Sequence, residues 1–449
     1  MSSNLHAKKA TKISLFSFNG AAMRAFHMSW LAFFVCFFAW FACAPLMPVI
    51  AGEFHLTKDQ IANINIAAVA ITILVRLIVG PLCDKYGPRK TYTALLVLGS
   101  IPVFGVASAN NYESFLFFRL LIGAIGASFV ITQYHTSIMF APNVVGTANA
   151  ATAGWGNAGG GATQVLMPLM LGALVMFGVE QAMGWRIALI VPGVLMLIVG
   201  LMYWKFTQDC PQGNFKELRA EGVSVGSDKK GGVAILMHAA KNYRVWILFG
   251  AYAACFGIEI FIHNIVAMYY VDHFSFGLKE AGMAAGIFGL LALFARALGG
   301  IVSDKVATKK GLDGRTKVLF GMILLEGLFL VLFSQMNTPI FAILAMTVFA
   351  LFTHMACGAT YALVPFIDRD ALGGVAGIIG AGGNVGAVAA GFLLKGMLDI
   401  QTTLMILGGL VVIAASFVLM IRFSVEHKEK EQRLFEQAVH DRSIAEAQN

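Results

Sequence analysis

The sequence predicts an all-α membrane protein of twelve transmembrane helices in two pseudo-symmetric six-helix halves, and three observations predict it. The 449-residue chain is 58% hydrophobic and only 12% charged, with a mean hydropathy of +0.76, whereas soluble domains carry about a quarter charged residues. Twelve apolar stretches approach or exceed the roughly 20 residues that a bilayer-crossing helix needs. Basic residues gather on alternate sides of those stretches.

The stretches run over residues 28–51, 61–82, 90–109, 114–138, 146–177, 185–206, 244–271, 279–303, 316–335, 338–364, 371–396 and 401–423. The fifth and seventh are long, so their ends are expected to leave the hydrocarbon. With the N-terminus taken as cytoplasmic, 25 of the 32 Lys and Arg residues fall in cytoplasmic segments, and only Lys58, Arg186 and Lys279 fall in outer loops. The net charge of +8 therefore reports topology, not a nucleic-acid partner. Both termini are expected in the cytoplasm. The first stretch is too long for a cleaved signal peptide and is expected to remain as the first helix.

A polar run rich in Gly, Ser and Lys divides the chain. The predicted organisation is an N-terminal segment 1–27, a six-helix bundle 28–206, a cytoplasmic linker 207–243, a second bundle 244–423 and a tail 424–449. The two bundles repeat each other. "RLIVGPLCD" (Arg76 to Asp84) returns with the same Arg, Gly and Asp spacing as "RALGGIVSD" (Arg296 to Asp304). "GNAG" (Gly156 to Gly159) returns as "GNVG" (Gly383 to Gly386), each in the fifth stretch of its half. The first copy lies in "AGWGNAGGG", whose G-x-G-x-x-G spacing imitates a dinucleotide-binding loop. The second copy lacks that spacing, and no strand or βαβ unit precedes the first. An enzyme is not expected. Six scattered cysteines, without C-x-x-C or histidine at ligand spacing, read as apolar packing, so no metal or cofactor is expected.

Gly156/Gly160 and Gly382/Gly386 are small-x-x-x-small pairs that let helix backbones approach. Asn157 and Asn384 place amides inside apolar helices, either bonding between helices or lining a polar central site; their repetition in both halves favours the site. Arg76 and Arg296 each cost about 2.5–3.5 kcal/mol within a membrane helix, and the flat guanidinium fork suits a planar oxyanion. A buried ion pair with Glu259 or Glu326 is the alternative. Because those acids do not share the repeat, a symmetric clamp for a singly charged anion is the preferred reading. Arg119 reads as a helix-packing arginine, and Phe129 as a ring that could stack on a planar substrate. Tyr252, Glu259 and His263 are spaced to share a helix face; Glu259 either carries a proton with the anion or holds a static hydrogen bond to His263. Glu326, His135 and His354 read as packing residues. "GPLCDKYGPRK" puts Gly80, Asp84, Gly87 and Arg89 at a cytoplasmic helix end as a conformational latch, Asp84 accepting from a neighbouring helix N-terminus. Gly300 and Asp304 form its weaker twin.

The twelve stretches, the two halves and "GPLCDKYGPRK" resemble the major facilitator superfamily. Within it, "AGWGNAGGG" and "GAGGNVGAV" resemble the paired nitrate signatures of the nitrate/nitrite porter family, and the likeness covers nearly the whole chain. The resemblance implies that nitrate, nitrite or both are moved by alternating access. It implies that Arg76 and Arg296 clamp the anion, Asn157 and Asn384 orient it, and Phe129 and Tyr252 line the site. "ACGATYALVPF" and "GIEIFIHNIVAMYY" look closer to the high-affinity proton-coupled uptake branch than to the exchange branch. Glu259 matches an acid of the uptake branch, which implies proton symport; a nitrate/nitrite antiporter and a nitrate receptor without net transport are the alternatives. The implied partners are nitrate or nitrite, protons and the lipid of a plasma membrane or bacterial inner membrane. A monomer is expected, and the short central loop and tail argue against an accessory subunit.

Overall fold

The computed structural model describes residues 9–141, 144–225, 232–368, 371–396, 399–433 and 436. The first eight residues of the N-terminal segment, and the tail beyond 433 apart from residue 436, lie outside the described residues. No β-strand occurs among those described. The first half consists of α1 (Ala21–Glu53), α2 (Lys58–Tyr86), α3 (Pro88–Val106), α4 (Tyr112–Met139), α5 (Val145–Met176) and α6 (Gln181–Phe206). The linker carries α7 (Phe215–Ala220) and α8 (Gly232–Ala240). The second half consists of α9 (Tyr243–Phe274), α10 (Leu278–Leu290), α11 (Ala292–Ser334), α12 (Pro339–Leu363), α13 (Leu372–Lys395) and α14 (Ile400–Val418).

Ten helices among the described residues are long and apolar enough to cross a membrane. One of them, Leu278–Ser334, spans 57 residues and covers both the eighth and ninth predicted stretches. Its two limbs are separated at Gly311, whose φ of 55° and ψ of −147° favour glycine. The third predicted stretch lies on α3. The protein is a multi-pass membrane protein.

Two boundaries differ from the sequence reading. Helix α1 starts at Ala21 instead of 28, because Met23 and Phe26 are buried against Phe140 and hold the early turns in place. The linker, expected as a polar run, contains two helices, and α8 packs against α13.

Besides the break in α11, three membrane helices among the described residues depart from regular geometry. Short 3₁₀ turns interrupt α1 at Ala44–Leu46 and α4 at Gly123–Ala127, and a π turn interrupts α9 at Ala253–Gly257. Such interruptions free backbone carbonyls and often mark functional positions.

The fifth helix of each half joins the halves. α5 packs on α1 within its own bundle and crosses to α10 and α11; α13 packs on α9 and crosses to α2. The "GNAG" and "GNVG" stretches make the inner contact alike. A Cβ on Gly156 or Gly383 would overlap the rings of Phe33 and Phe256, and one on Gly159 or Gly386 would overlap the backbone carbonyls of Phe34 and Ala253. Glycine is required here for close approach, and "AGWGNAGGG" is continuous helix, not a nucleotide loop.

Candidate anion site

Arg76 on α2 and Arg296 on α11 are 0% and 1% exposed. Both guanidiniums face one ring, that of Phe256 in the π turn of α9, with their Cζ atoms 5.1 and 5.5 Å from its centroid. Phe129 on α4 lies 5.4 Å from Arg76 Cζ and stacks on Phe256 and Tyr252 at interplanar angles of 26° and 23°. Tyr361 of α12 closes the chamber edge-on to Phe129 and Tyr252. Aromatic faces stabilise the two cations by about 0.5–2 kcal/mol each, while leaving most of their donors for polar partners.

Those partners differ. Arg76 has only neutral ones: Nε and Nη2 donate to Gly126 O at 3.3 and 3.0 Å, and Nη1 donates to Gly380 O at 2.6 Å. With its amide oxygen turned toward the guanidinium, Asn384 accepts from Nε and Nη1 at 3.1 Å each. Gly126 belongs to the 3₁₀ turn of α4. Arg296 instead donates from Nη2 to Glu259 Oε2 at 2.5 Å. Asn157 Nδ2 donates to the other oxygen of Glu259, Cys357 Sγ lies 3.5 Å from Oε2, and His354 Nδ1 stands 3.4 Å from it.

The two arginines are thus not equivalent in this structure. Arg296 forms the ion pair that was the alternative reading, and among the described residues no acid pairs with Arg76. The static Glu259–His263 bond is corrected: both ring nitrogens of His263 lack partners, and its ring rests against Phe41 and Phe288. The π turn between Tyr252 and Glu259 adds backbone that a regular helical spacing does not allow for. His354, read as packing, is the histidine beside Glu259. Arg119 donates to Trp40 O at 2.8 Å and Asn264 Oδ1 at 3.4 Å, helix contacts of the expected kind. Phe256 and Tyr361 escaped the sequence reading, and Cys357 was read with the other cysteines as apolar packing; only the neighbouring "GNVG" glycine that Phe256 covers could have pointed to that ring.

At one end of the bundle the two latch acids each approach the fifth helix of the opposite half. A Cβ on Gly373, in the first turn of α13, would lie 3.8 Å from Asp84 Oδ2; one on Gly146, in the first turn of α5, would lie 3.8 Å from Asp304 Oδ2. A carboxylate is favoured at such N-termini. Asp84 also accepts from the Tyr134 hydroxyl at 2.6 Å, and Asp304 pairs with Arg315 at 2.5 Å. Gly87 has φ 87°, and a Cβ there would overlap the carboxylate of Asp209. That linker acid accepts from the backbone N–H groups of Arg89 and Phe215 at 2.9 and 3.0 Å; burial pushes its pKa up against these bonds. Arg89 lies over the Trp204 ring at 4.3 Å and donates to Trp204 O at 2.8 Å. Gly80 meets nothing that would exclude a side chain, and Gly300 faces Ala150.

A family profile, that of the Major Facilitator Superfamily, matches residues 29–365. The chain belongs to this superfamily. Within it, the chain falls in the nitrate/nitrite porter family. High affinity nitrate transporter 2.5 of Arabidopsis thaliana is 39% identical, over 91% of this chain and 81% of that one. Nitrate transporter 2.2 of Chlamydomonas reinhardtii is 37% identical over 84% and 74%, and the nitrate/nitrite transporter NrtP of Nostoc punctiforme is 29% identical over 83% and 87%. A solved bacterial homologue of the human lysosomal transporter Spinster, inward-facing and unoccupied, shares the fold, with a TM-score of 0.66, 14% identity and coverage of 93% of this chain and 98% of that one. The superfamily comprises transporters, not enzymes.

In this superfamily member, the end opposite the latches carries a cleft of about 580 Å³ between α2, α9, α13 and α14, lined in part by Lys58, Asn65, Asn264 and Lys395. Lys395 reaches across the halves to Asn63 Oδ1 at 2.8 Å. Asn264 joins that cleft to Arg119 below.

Proposed function

We propose that this protein imports nitrate, nitrite or both by alternating access, coupled to protons, across a plasma or bacterial inner membrane with both termini in the cytoplasm. One observation carries the reading: two buried arginines from equivalent positions of the halves face one aromatic ring. The relatives' names supply the anion. A planar oxyanion between Arg76 and Arg296 would also satisfy the partnerless buried donors Arg296 Nε and Tyr252 Oη, whose desolvation otherwise goes uncompensated.

Proton coupling follows from the Glu259–Arg296 pair. The anion and the Glu259 carboxylate compete for the same guanidinium. A proton on Glu259 weakens its hold and frees Arg296, so anion and proton each favour the other's binding by the same factor. When both leave, the ion pair re-forms and resets the site. Asn157, bonded to Glu259, follows the exchange, while Asn384 holds Arg76 in place. Entry of one anion against an inside-negative potential costs about 2.3 kcal/mol per 100 mV; two accompanying protons reverse that sign.

Proteoliposomes test the reading. Added nitrate is expected to give inward positive current with acidification of the lumen. Electroneutral uptake that depends on internal nitrite would replace symport with exchange.

A further inference from the structure

Glu326, on the second limb of α11, is 0% exposed, and neither carboxyl oxygen has a hydrogen-bond partner. The Thr353 hydroxyl beside it is already donated to Phe349 O at 3.0 Å. Its ionisable neighbours are Cys255 in the π turn of α9 and Glu259 farther along that helix; Cys255 in turn neighbours Cys357 of α12. His354 of α12 is turned elsewhere, to Phe288 O and Glu259. Helix α14, packed on the same helix, has no ionisable side chain between Ile400 and Val418, and α5 has none between Val145 and Met176. No ion pair reaches Glu326 among the described residues. A sealed carboxylate without a counter-charge is heavily penalised, so this pocket accommodates the neutral acid.

The five-residue π turn links this acid to the anion site. Its Phe256 faces both guanidiniums, and the turn packs on α11, the helix that carries Glu326. A shift of that turn when an anion displaces Glu259 from Arg296 therefore alters the surroundings of Glu326 as well.

We infer that Glu326 is a second proton-binding group of the transport cycle, so that protons on Glu259 and Glu326 enter together with each anion. This rests on the transport reading above. Two protons per monovalent anion carry a net positive charge inward, and removing one carrier leaves an electroneutral pair.

The experiment records current and labelled-nitrate influx together in proteoliposomes of the full chain. Wild type is expected to move a single net positive charge per nitrate. Glu326→Gln is expected to take up nitrate along a pH gradient with no net charge and no response to membrane potential. An unchanged charge ratio in Glu326→Gln overturns the assignment. Should that variant show no net uptake, counterflow of labelled against unlabelled nitrate, which needs no net proton transfer, must persist; its loss also overturns the assignment. A wild type that moves no nitrate sinks the transport reading itself, whereas an electrogenic wild type with an unaltered variant sinks only the role of Glu326.

Discussion

The two halves place an arginine at the same repeat position and then treat it differently. Arg76 is a fixed cation held by Gly126, Gly380 and Asn384, all neutral. Arg296 is bound to Glu259, which Asn157, His354 and Cys357 surround. The repeat supplies a pair of positive charges, and one acid without a repeat partner makes one of them conditional. In the proposed cycle the first half supplies constant attraction for the anion, while the second half decides when that attraction is available.

Substitutions separate these roles. The largest effect is expected at Arg76→Lys: losing two charge-assisted hydrogen bonds, about 3 kcal/mol, weakens nitrate binding about 100-fold at every pH. Arg296→Lys, still able to pair with Glu259, is expected to lose about tenfold. Calorimetry on the purified variants gives both numbers, and equal losses would erase the distinction between the halves. Next in size is Glu259→Gln. Wild-type nitrate affinity should fall as pH rises, because binding needs the Glu259 proton; in the variant the dependence should lose about tenfold per unit, leaving only what Glu326 contributes. A variant as pH-dependent as wild type would move the coupling site elsewhere. The smallest effect belongs to the latches. Asp84→Asn and Asp304→Asn each remove a carboxylate from a helix N-terminus, worth about 0.3–1 kcal/mol, and should shift labelling of cysteines placed at the two ends two- to fivefold. Asp304→Asn also releases Arg315, so it is expected to shift the balance more than its twin.

Much of this was legible in the sequence. Hydropathy marked the helical stretches, and the repeat singled out Arg76, Arg296, Asn157 and Asn384, because matched polar residues in apolar helices stand out against a uniform background. Pairing did not show. Glu259 meets Asn157 across 102 positions and Arg296 across 37, separations that no local pattern encodes. Phe256 and Tyr361 were hidden among 36 phenylalanines and 10 tyrosines. The π turn broke the helical phase between Tyr252 and Glu259; His263 keeps its i,i+4 place beside Glu259 on regular helix, yet its ring is held by Phe41 and Phe288 while His354 of α12 comes to the carboxylate, a contact between helices that spacing along one helix does not show. The linker's order was missed because its anchor, Asp209, looks like any other loop acid until it is seen seated under Gly87.

Backbone-on-backbone contact along α5 has a mechanical consequence. Where Gly161 meets the main chain of Gly289 and Leu290, and Gly154 meets that of Ala292, backbone rather than interlocked side chain forms the contact between the halves. Such surfaces slide without rotamers having to be unpicked and reset. In the proposed cycle, this close backbone seam is where the halves would rock past one another, around the exchange of one carboxylate for one anion.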